Sequence, residues 1–425
     1  MRKLIGFSLT GALALATPAS GQALSRQQVA APSAITQLAD RWVAENRVPG
    51  IVITVGRGDV APQVAAAGRI ANEATAHRAD IDSLWRVYSM TKPITGIAAM
   101  ILVEQGKLSL DQPISDFIPA FKSMKVLVDP AKDLTSRAAT RPITVRNLLT
   151  HTAGLGYNII TKGPLLDEYT RLGINPAAVS AAMEPSMRAV RPVSLEEFAN
   201  RVATLPLIAE PGAKWSYSIG LDVLGRVIEV ASGVAFDQFV TTRIFQPLGM
   251  TASYWTVAAG KANLLATNYA LLGDSRAPLD PGATSVWLQP PSFPYGGAGL
   301  VMSARDYDRF LHMLVNGGTL DGVRILKPET VRLAMSDLLP ATTDRSLLQA
   351  QSGGDQVGFG AGGSVSLADR PGGPGKGTFG WAGAAGTFAW VDPKNQVRAT
   401  AMINLFGQTP LKRDVIQAVY GENAR

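Results

Sequence analysis

Ser89-Met90-Thr91-Lys92-Pro93-Ile94-Thr95-Gly96-Ile97-Ala98-Ala99-Met100-Ile101-Leu102 is the stretch around which the rest of the chain can be read. Apolar residues recur at Ile94, Ile97, Ala98, Ile101 and Leu102, the spacing of one helix face, and Gly106 supplies a stop. Pro93 has no N–H and would break a helix interior, yet the periodic pattern begins at Pro93 itself. The conflict resolves if Pro93 lies in the first turn, where N–H groups have no intrahelical partner. The helix then starts near Ser89, whose hydroxyl sits at the positive end of the helix dipole. Residues i and i+3 share a face, so the Lys92 amine can reach the Ser89 oxygen. Ser89 is the one serine of the chain with a lysine three residues later. About one or two such pairs are expected by chance in a chain of this length, so spacing alone does not decide. A helix-capping serine followed by a lysine reaching for solvent fits the same residues, and a cap position is also where a nucleophile would stand.

Outward from this stretch, Ile35 to Asn46 carries apolar residues at Ile35, Leu38, Ala39, Trp42 and Val43 and reads as a helix. Ile51 to Val55 is a β-branched strand followed by the turn residues Gly56 to Asp59. From about Phe117 to Leu288 helical patterns such as Ser194 to Ala203 and Leu221 to Ala231 alternate with Pro- and Gly-containing loops, and strand signals are rare. Strands return at Thr387 to Val391 and Val397 to Leu405, joined by the turn Asp392-Pro393-Lys394-Asn395, and a helix over Lys412 to Tyr420 closes the chain. The pattern predicts an α/β (α+β) fold, an antiparallel sheet flanked by helices, with an inserted mostly helical domain. Its expected boundaries are 24–116 with 289–425 for the α/β domain and 117–288 for the helical one. The Gly-rich stretch Gly353 to Gly377 reads as a surface loop; no G-x-x-x-x-G-K-[ST] is present to cradle phosphate.

The first residues have the form of an export signal. Arg2 and Lys3 precede a 13-residue apolar run, Leu4 to Ala16, and a small-residue region ends in Gly21-Gln22-Ala23. Cleavage is expected after Ala23, which makes 1–23 a signal peptide and the mature protein periplasmic or secreted in a bacterium. The run is short of the ~20 residues that cross a bilayer, and no Cys is present to carry a lipid, so no stable membrane insertion is expected after cleavage. The absence of Cys also excludes disulfides and thiol chemistry; a chain of this length can bury a large core without them. Removing Arg2 and Lys3 lowers the net charge from +7 to +5. No blocks of Lys and Arg with interleaved aromatics accompany it, so no nucleic-acid partner is expected.

Other catalytic arrangements find less support. The chain has three His residues, His77, His151 and His312, but no G-x-S-x-G elbow. Gly273-Asp274-Ser275 reads as a turn, and His151 as a structural residue near a helix C-terminus. Without H-E-x-x-H, Cys or a repeated acidic spacing, no metal site and no cofactor are expected.

Several further stretches resemble one family. Trp85-Arg86-Val87-Tyr88 leads into the S-x-x-K box; Leu148-Leu149-Thr150-His151-Thr152-Ala153-Gly154 is similar to an L-L-x-H-T-x-G segment. Pro211-Gly212 through Trp215-Ser216-Tyr217-Ser218 resembles a Tyr motif with Gly225 in the helix after it, and Gly296-Gly297-Ala298-Gly299-Leu300-Val301-Met302-Ser303-Ala304-Arg305-Asp306 a G-G-L-x-S-x-x-D stretch. In this order they resemble the class C β-lactamase and penicillin-binding-protein superfamily of serine hydrolases, and within it the family VIII carboxylesterases. The resemblance implies the β-lactamase/transpeptidase-like fold. It also implies Tyr217 as partner of Lys92 in taking the Ser89 proton, and an oxyanion hole from the backbone N–H groups of Ser89 and Ala384. The third box falls at Trp381-Ala382-Gly383, making Trp381 and Gly383 expected substrate contacts.

Two departures bear on substrate. Trp381 stands where β-lactamases carry a cation, and Ile219 where they carry an amide-bearing Asn. Both are expected to make the pocket apolar, with Lys376 or Arg370 left as possible sources of charge from the nearby loop. The expected activity is hydrolysis of short-to-medium acyl esters through an acyl-enzyme on Ser89, with a small-molecule ester as partner. The alternatives are a class C-like β-lactamase or D-amino-acid peptidase, an acyltransferase, or a non-catalytic penicillin-binding-type sensor. The oligomeric state is not legible.

Overall fold

Both ends of the chain meet in one seven-stranded antiparallel sheet. Its order is Val357–Phe359, Ser364–Ser366, Phe379–Ala382, Phe388–Asp392, Val397–Met402, Gly50–Arg57 and Gln63–Gly68. The computed structural model describes residues 33–421 apart from 274 and 408. The expected signal segment 1–23 lies outside them. Among the described residues no helix is long and apolar enough to cross a membrane.

Strand Gly50–Arg57 is buried on both sides, which explains its unbroken apolar reading. Because successive side chains alternate, Ile51, Ile53 and Val55 face the terminal helices Ala34–Ala44 and Leu411–Tyr420, while Val52 faces the main core. The opposite face of the sheet receives helix Ala304–Val315, where buried Arg398 pairs with Asp308 at 2.9 Å. Ser303 caps that helix by accepting the Asp306 N–H at 3.1 Å, and Asp306 accepts from the Ala252 N–H and the Ser253 hydroxyl, both at 2.7 Å. The S-x-x-D part of the sequence motif is therefore a helix cap tied to a neighbouring strand.

The expected central helix is present as Thr91–Glu104, preceded by a single 3₁₀ turn, Tyr88–Met90. It is buried all round rather than along one stripe. Its polar side chains are taken up by the glycine-rich segment 296–300: Thr95 donates to the Gly296 carbonyl at 2.7 Å and Thr91 accepts the Leu300 N–H at 3.1 Å.

Two readings need correction. Within the Gly-rich stretch, Val357–Phe359 and Ser364–Ser366 are strands of the main sheet. Three-residue strands between glycines are too short to show a period-2 pattern. Asn268–Leu272 and Ser275–Asp280 form a hairpin in the region expected to be helical, with Gly273 (φ 61°) at its turn.

Candidate active site

The turn that carries Ser89 is held from behind by a buried charge cluster. Strand Leu84–Arg86 delivers the chain to it, and Arg86, fully buried, binds the Asp280 carboxylate at 2.9 and 2.6 Å and the Ser285 hydroxyl at 2.8 Å. Tyr88 follows with φ 41°, a left-handed conformation that a bulky side chain adopts at a cost of about 1–3 kcal/mol. Its buried ring meets Trp287 and Phe406 edge-on at 5.8 and 5.2 Å, and its hydroxyl accepts from Asn268 at 3.2 Å. The turn is thereby locked with Ser89 half-buried and facing out of the core.

Three functional groups converge there. Lys92 Nζ lies 3.2 Å from Ser89 Oγ, one helical turn along, as the i, i+3 spacing requires. Tyr217 Oη lies 2.7 Å from the same oxygen, although 128 residues separate the two in sequence. Tyr217 is held just before helix Gly220–Ser232, in a segment whose Ser216 N–H donates to the His151 carbonyl at 2.9 Å. Lys92 is fully buried; Nζ also donates to the Gly297 carbonyl at 2.8 Å and stands 4.6 and 5.3 Å from the ring centres of Tyr217 and Tyr157.

The two tyrosines beside Lys92 differ. Burial, with Tyr217 and Asp222 nearby, pushes the Tyr157 phenol well above its ordinary value, so Tyr157 remains a neutral phenol. Tyr217 is half-buried, touches Ser89 directly, and accepts a hydrogen bond from the Trp381 indole at 3.4 Å. Trp381 thus fills the place of a cation with a neutral donor aimed at the Tyr217 oxygen. Phe359, itself fully buried, packs 5.1 Å from Trp381 and 5.2 Å from His151, so the Gly-rich stretch backs these side chains from behind.

His151 is near a helix C-terminus, as expected, directly after Val145–Leu149 and its cap Thr150. It also packs among these aromatic rings, 4.8 Å from the Tyr217 ring. The Ser218 N–H donates to its Nδ1 at 3.2 Å, which leaves the proton on Nε2. Burial and the Lys92 ammonium hold the imidazole well below its ordinary pKa, so it is neutral. The other two histidines are elsewhere: His312 pairs with Asp59 at 2.8 Å and His77 with the Arg78 carbonyl at 2.6 Å.

Strand Phe379–Ala382 runs to the Ser89 turn. A Cβ on Gly383 would fall 2.3 Å from the Val87 carbonyl oxygen, so only glycine permits this close approach. Ala384 follows in an exposed turn closed by the Gly383 N–H to the Thr387 carbonyl at 2.7 Å. The remaining substrate expectations change. Ile219 is fully buried in the core and lines no accessible wall, because it caps helix Gly220–Ser232 from inside. Arg370 and Lys376 lie in the connection entering Phe379–Ala382 from the other end of that strand. Arg370 is paired there with Asp355, and Gly375 contacts the Lys394 turn, so neither cation is beside Ser89. The neighbours that sequence reading missed are Tyr157, Phe359, Asp222 and Gly297. Gly297 was quoted only as part of a motif, and no spacing links the others to Ser89.

The fold finds close counterparts. A Beta-lactamase family model matches residues 34–420. An uncharacterised protein of Mycobacterium tuberculosis is 38% identical over 323 residues, 73% of this chain and 75% of that one. Esterase EstB of Burkholderia gladioli is 31% identical over 373 residues, 83% and 85% of the two chains. Among solved structures, EstCE1, described as a hydrolase with promiscuous acyltransferase activity, superposes with a TM-score of 0.74 at 26% identity, covering 91% of this chain and 98% of that one. With the match spanning the sheet, the Ser89 turn and the closing helix alike, the chain belongs to the beta-lactamase family.

Proposed function

We propose that this protein is a serine carboxylesterase acting on uncharged, short-to-medium acyl esters. The observation that carries the reading is the convergence of Lys92 Nζ and Tyr217 Oη on Ser89 Oγ, at 3.2 and 2.7 Å. Ser89 Oγ attacks the ester carbonyl carbon while its proton passes to the Tyr217–Lys92 pair, which takes it up in the form holding one proton fewer, a Tyr217 phenolate beside the Lys92 ammonium. The negative charge on the carbonyl oxygen is received by the backbone N–H groups of Ser89 and Ala384. The ester C–O bond then breaks, the alcohol leaves with the transferred proton, and the acyl group stays on Ser89. Water repeats the sequence on the acyl-enzyme and frees the acid. Trp381 supports esters over β-lactams: its indole is neutral and its N–H is engaged by Tyr217, so it offers no cation to a substrate carboxylate.

The test compares turnover of p-nitrophenyl butyrate with that of a chromogenic cephalosporin, and follows a phosphonate ester by mass spectrometry. Ester turnover with a single phosphonyl adduct on Ser89 is expected. Ser89→Ala should drop kcat by about 10⁶-fold, to background. Cephalosporin turnover alone, or retained activity in Ser89→Ala, overturns the reading. Since EstCE1 is described as having acyltransferase activity, an added primary alcohol tests whether this acyl-enzyme also passes its acyl group to an alcohol.

A further inference from the structure

The Lys92 ammonium is fully buried, and none of the ion pairs formed among the described residues involves it. A buried carboxylate stands behind it. Asp222, in the first turn of helix Gly220–Ser232, has no exposed surface. Its Oδ1 accepts the Gly297 N–H at 2.8 Å, and the Gly297 carbonyl accepts from Lys92 Nζ at 2.8 Å. A single residue therefore spans the carboxylate and the ammonium. Asp222 Oδ2 has no hydrogen-bond partner, an arrangement that is costly for a buried carboxylate unless a cation lies close enough to offset it.

Gly297 is required by this contact. A Cβ there would fall 2.6 Å from Asp222 Oδ2 and 3.1 Å from its Cγ. Burial pushes the Asp222 carboxyl up to about 7, while the Lys92 charge and the Gly297 N–H pull in the other direction. The other titratable groups facing the pair are Tyr157, which Asp222 helps keep neutral, Tyr217, and His151, which the Lys92 charge keeps neutral.

We propose that Asp222 is the positioning residue of the Ser89–Lys92–Tyr217 set: through Gly297 it holds Lys92 Nζ against Ser89 Oγ and presents a counter-charge to the ammonium. Asp222 does not touch substrate; it acts on the residue that does the proton transfer. The inference rests on the reading of Ser89 as an ester hydrolase nucleophile.

The experiment measures kcat and KM for p-nitrophenyl butyrate between about pH 5 and pH 9 in the full-length chain, with phosphonate labelling of Ser89 alongside. Asp222→Asn keeps the Oδ1 acceptor and removes the charge. It should lower kcat about 10-fold, change KM by less than about two-fold, and lack the inflection near neutral pH expected of the wild type. Asp222→Ala, which also releases Gly297, should lower kcat about 100-fold. Gly297→Ala crowds the carboxylate without touching its charge and should lower kcat with KM again little changed, which keeps the proposal testable if the Asp222 variants do not fold. An Asp222→Asn enzyme with wild-type kcat and pH profile overturns the role of Asp222, as does an unaltered Gly297→Ala. A wild type that neither turns over the ester nor takes up phosphonate overturns the esterase reading itself.

Discussion

Arg86 and Lys92 are both fully buried cations, on the two sides of the same Ser89 turn, and the fold treats them in opposite ways. Arg86 is saturated: the Asp280 carboxylate, the Ser285 hydroxyl, the Ala266 carbonyl and the Asn404 amide oxygen all accept from it. Lys92 has one carbonyl, the Ser89 hydroxyl and two aromatic faces. A guanidinium with a full set of acceptors is a structural brace, because moving it breaks several charge-assisted bonds at once. A lysine amine with so few partners is not locked in place by them, and it stands within reach of Ser89 and Tyr217 for proton transfer.

The largest effects test that contrast directly. Lys92→Met should lower kcat by about 10³-fold or more, the loss of the Tyr217–Lys92 proton acceptor, while its stability falls only modestly, because Asp222, left without its counter-charge, takes up a proton instead of staying ionised. Arg86→Met should cost far more stability. It strands the Asp280 carboxylate without its cation, and about 3–5 kcal/mol should be lost, read by chemical denaturation. If Lys92→Met destabilises as much as Arg86→Met, Lys92 is a brace as well and the contrast fails.

A smaller effect is expected one contact further out. The Trp381 indole N–H donates to the Tyr217 oxygen, the atom proposed to take up the Ser89 proton. Trp381→Phe keeps a ring against Phe359 and removes only the donor. A neutral hydrogen bond contributes about 1 kcal/mol, so kcat should fall by up to about ten-fold with KM little altered. A larger change in KM than in kcat would make Trp381 a substrate wall and nothing more.

How much of this was legible follows from distance along the chain. Ser89 and Lys92 lie on one helix face, so local periodicity with Pro93 located them and the helix start together. Tyr217 is 128 residues from Ser89, and only the resemblance of its surrounding motif connected the two. Asp222 belongs to the site because the glycine-rich segment at 296–300 threads between two helices, and Tyr157 because its ring packs against Tyr217 and Lys92, arrangements set by packing and not by any periodicity. The strands around Phe359 were hidden for another reason: three residues between glycines leave no alternation to read. The substitution at Ile219 was visible, but its direction was not, since facing the core or the pocket depends on how helix Gly220–Ser232 docks.

The smallest expected effect uses pH to ask whether His151 is held neutral inside the fold. His151 is held neutral by burial and by Lys92, whereas an unfolded imidazole takes up a proton near pH 6.5. Below that pH the unfolded state binds more protons, so stability falls as pH drops from about 6.5, at up to about 1.4 kcal/mol per unit. Above it His151 contributes no slope. Asp222 works in the opposite sense: its carboxyl is raised from about 4 to about 7, so the stability it contributes is fully present below about pH 4 and is lost as pH rises to about 7. These two slopes add to those of the other shifted groups, His312, Asp306 and Asp308 among them. His151→Asn removes one of them, and its melting temperature relative to wild type should therefore climb steadily as pH is lowered from 7 to about 5. A constant difference across that window means His151 does not titrate against the fold. Lys92→Met should leave most of the His151 slope in place, because burial is the larger cause of the lowered His151 pKa and the Lys92 charge the smaller.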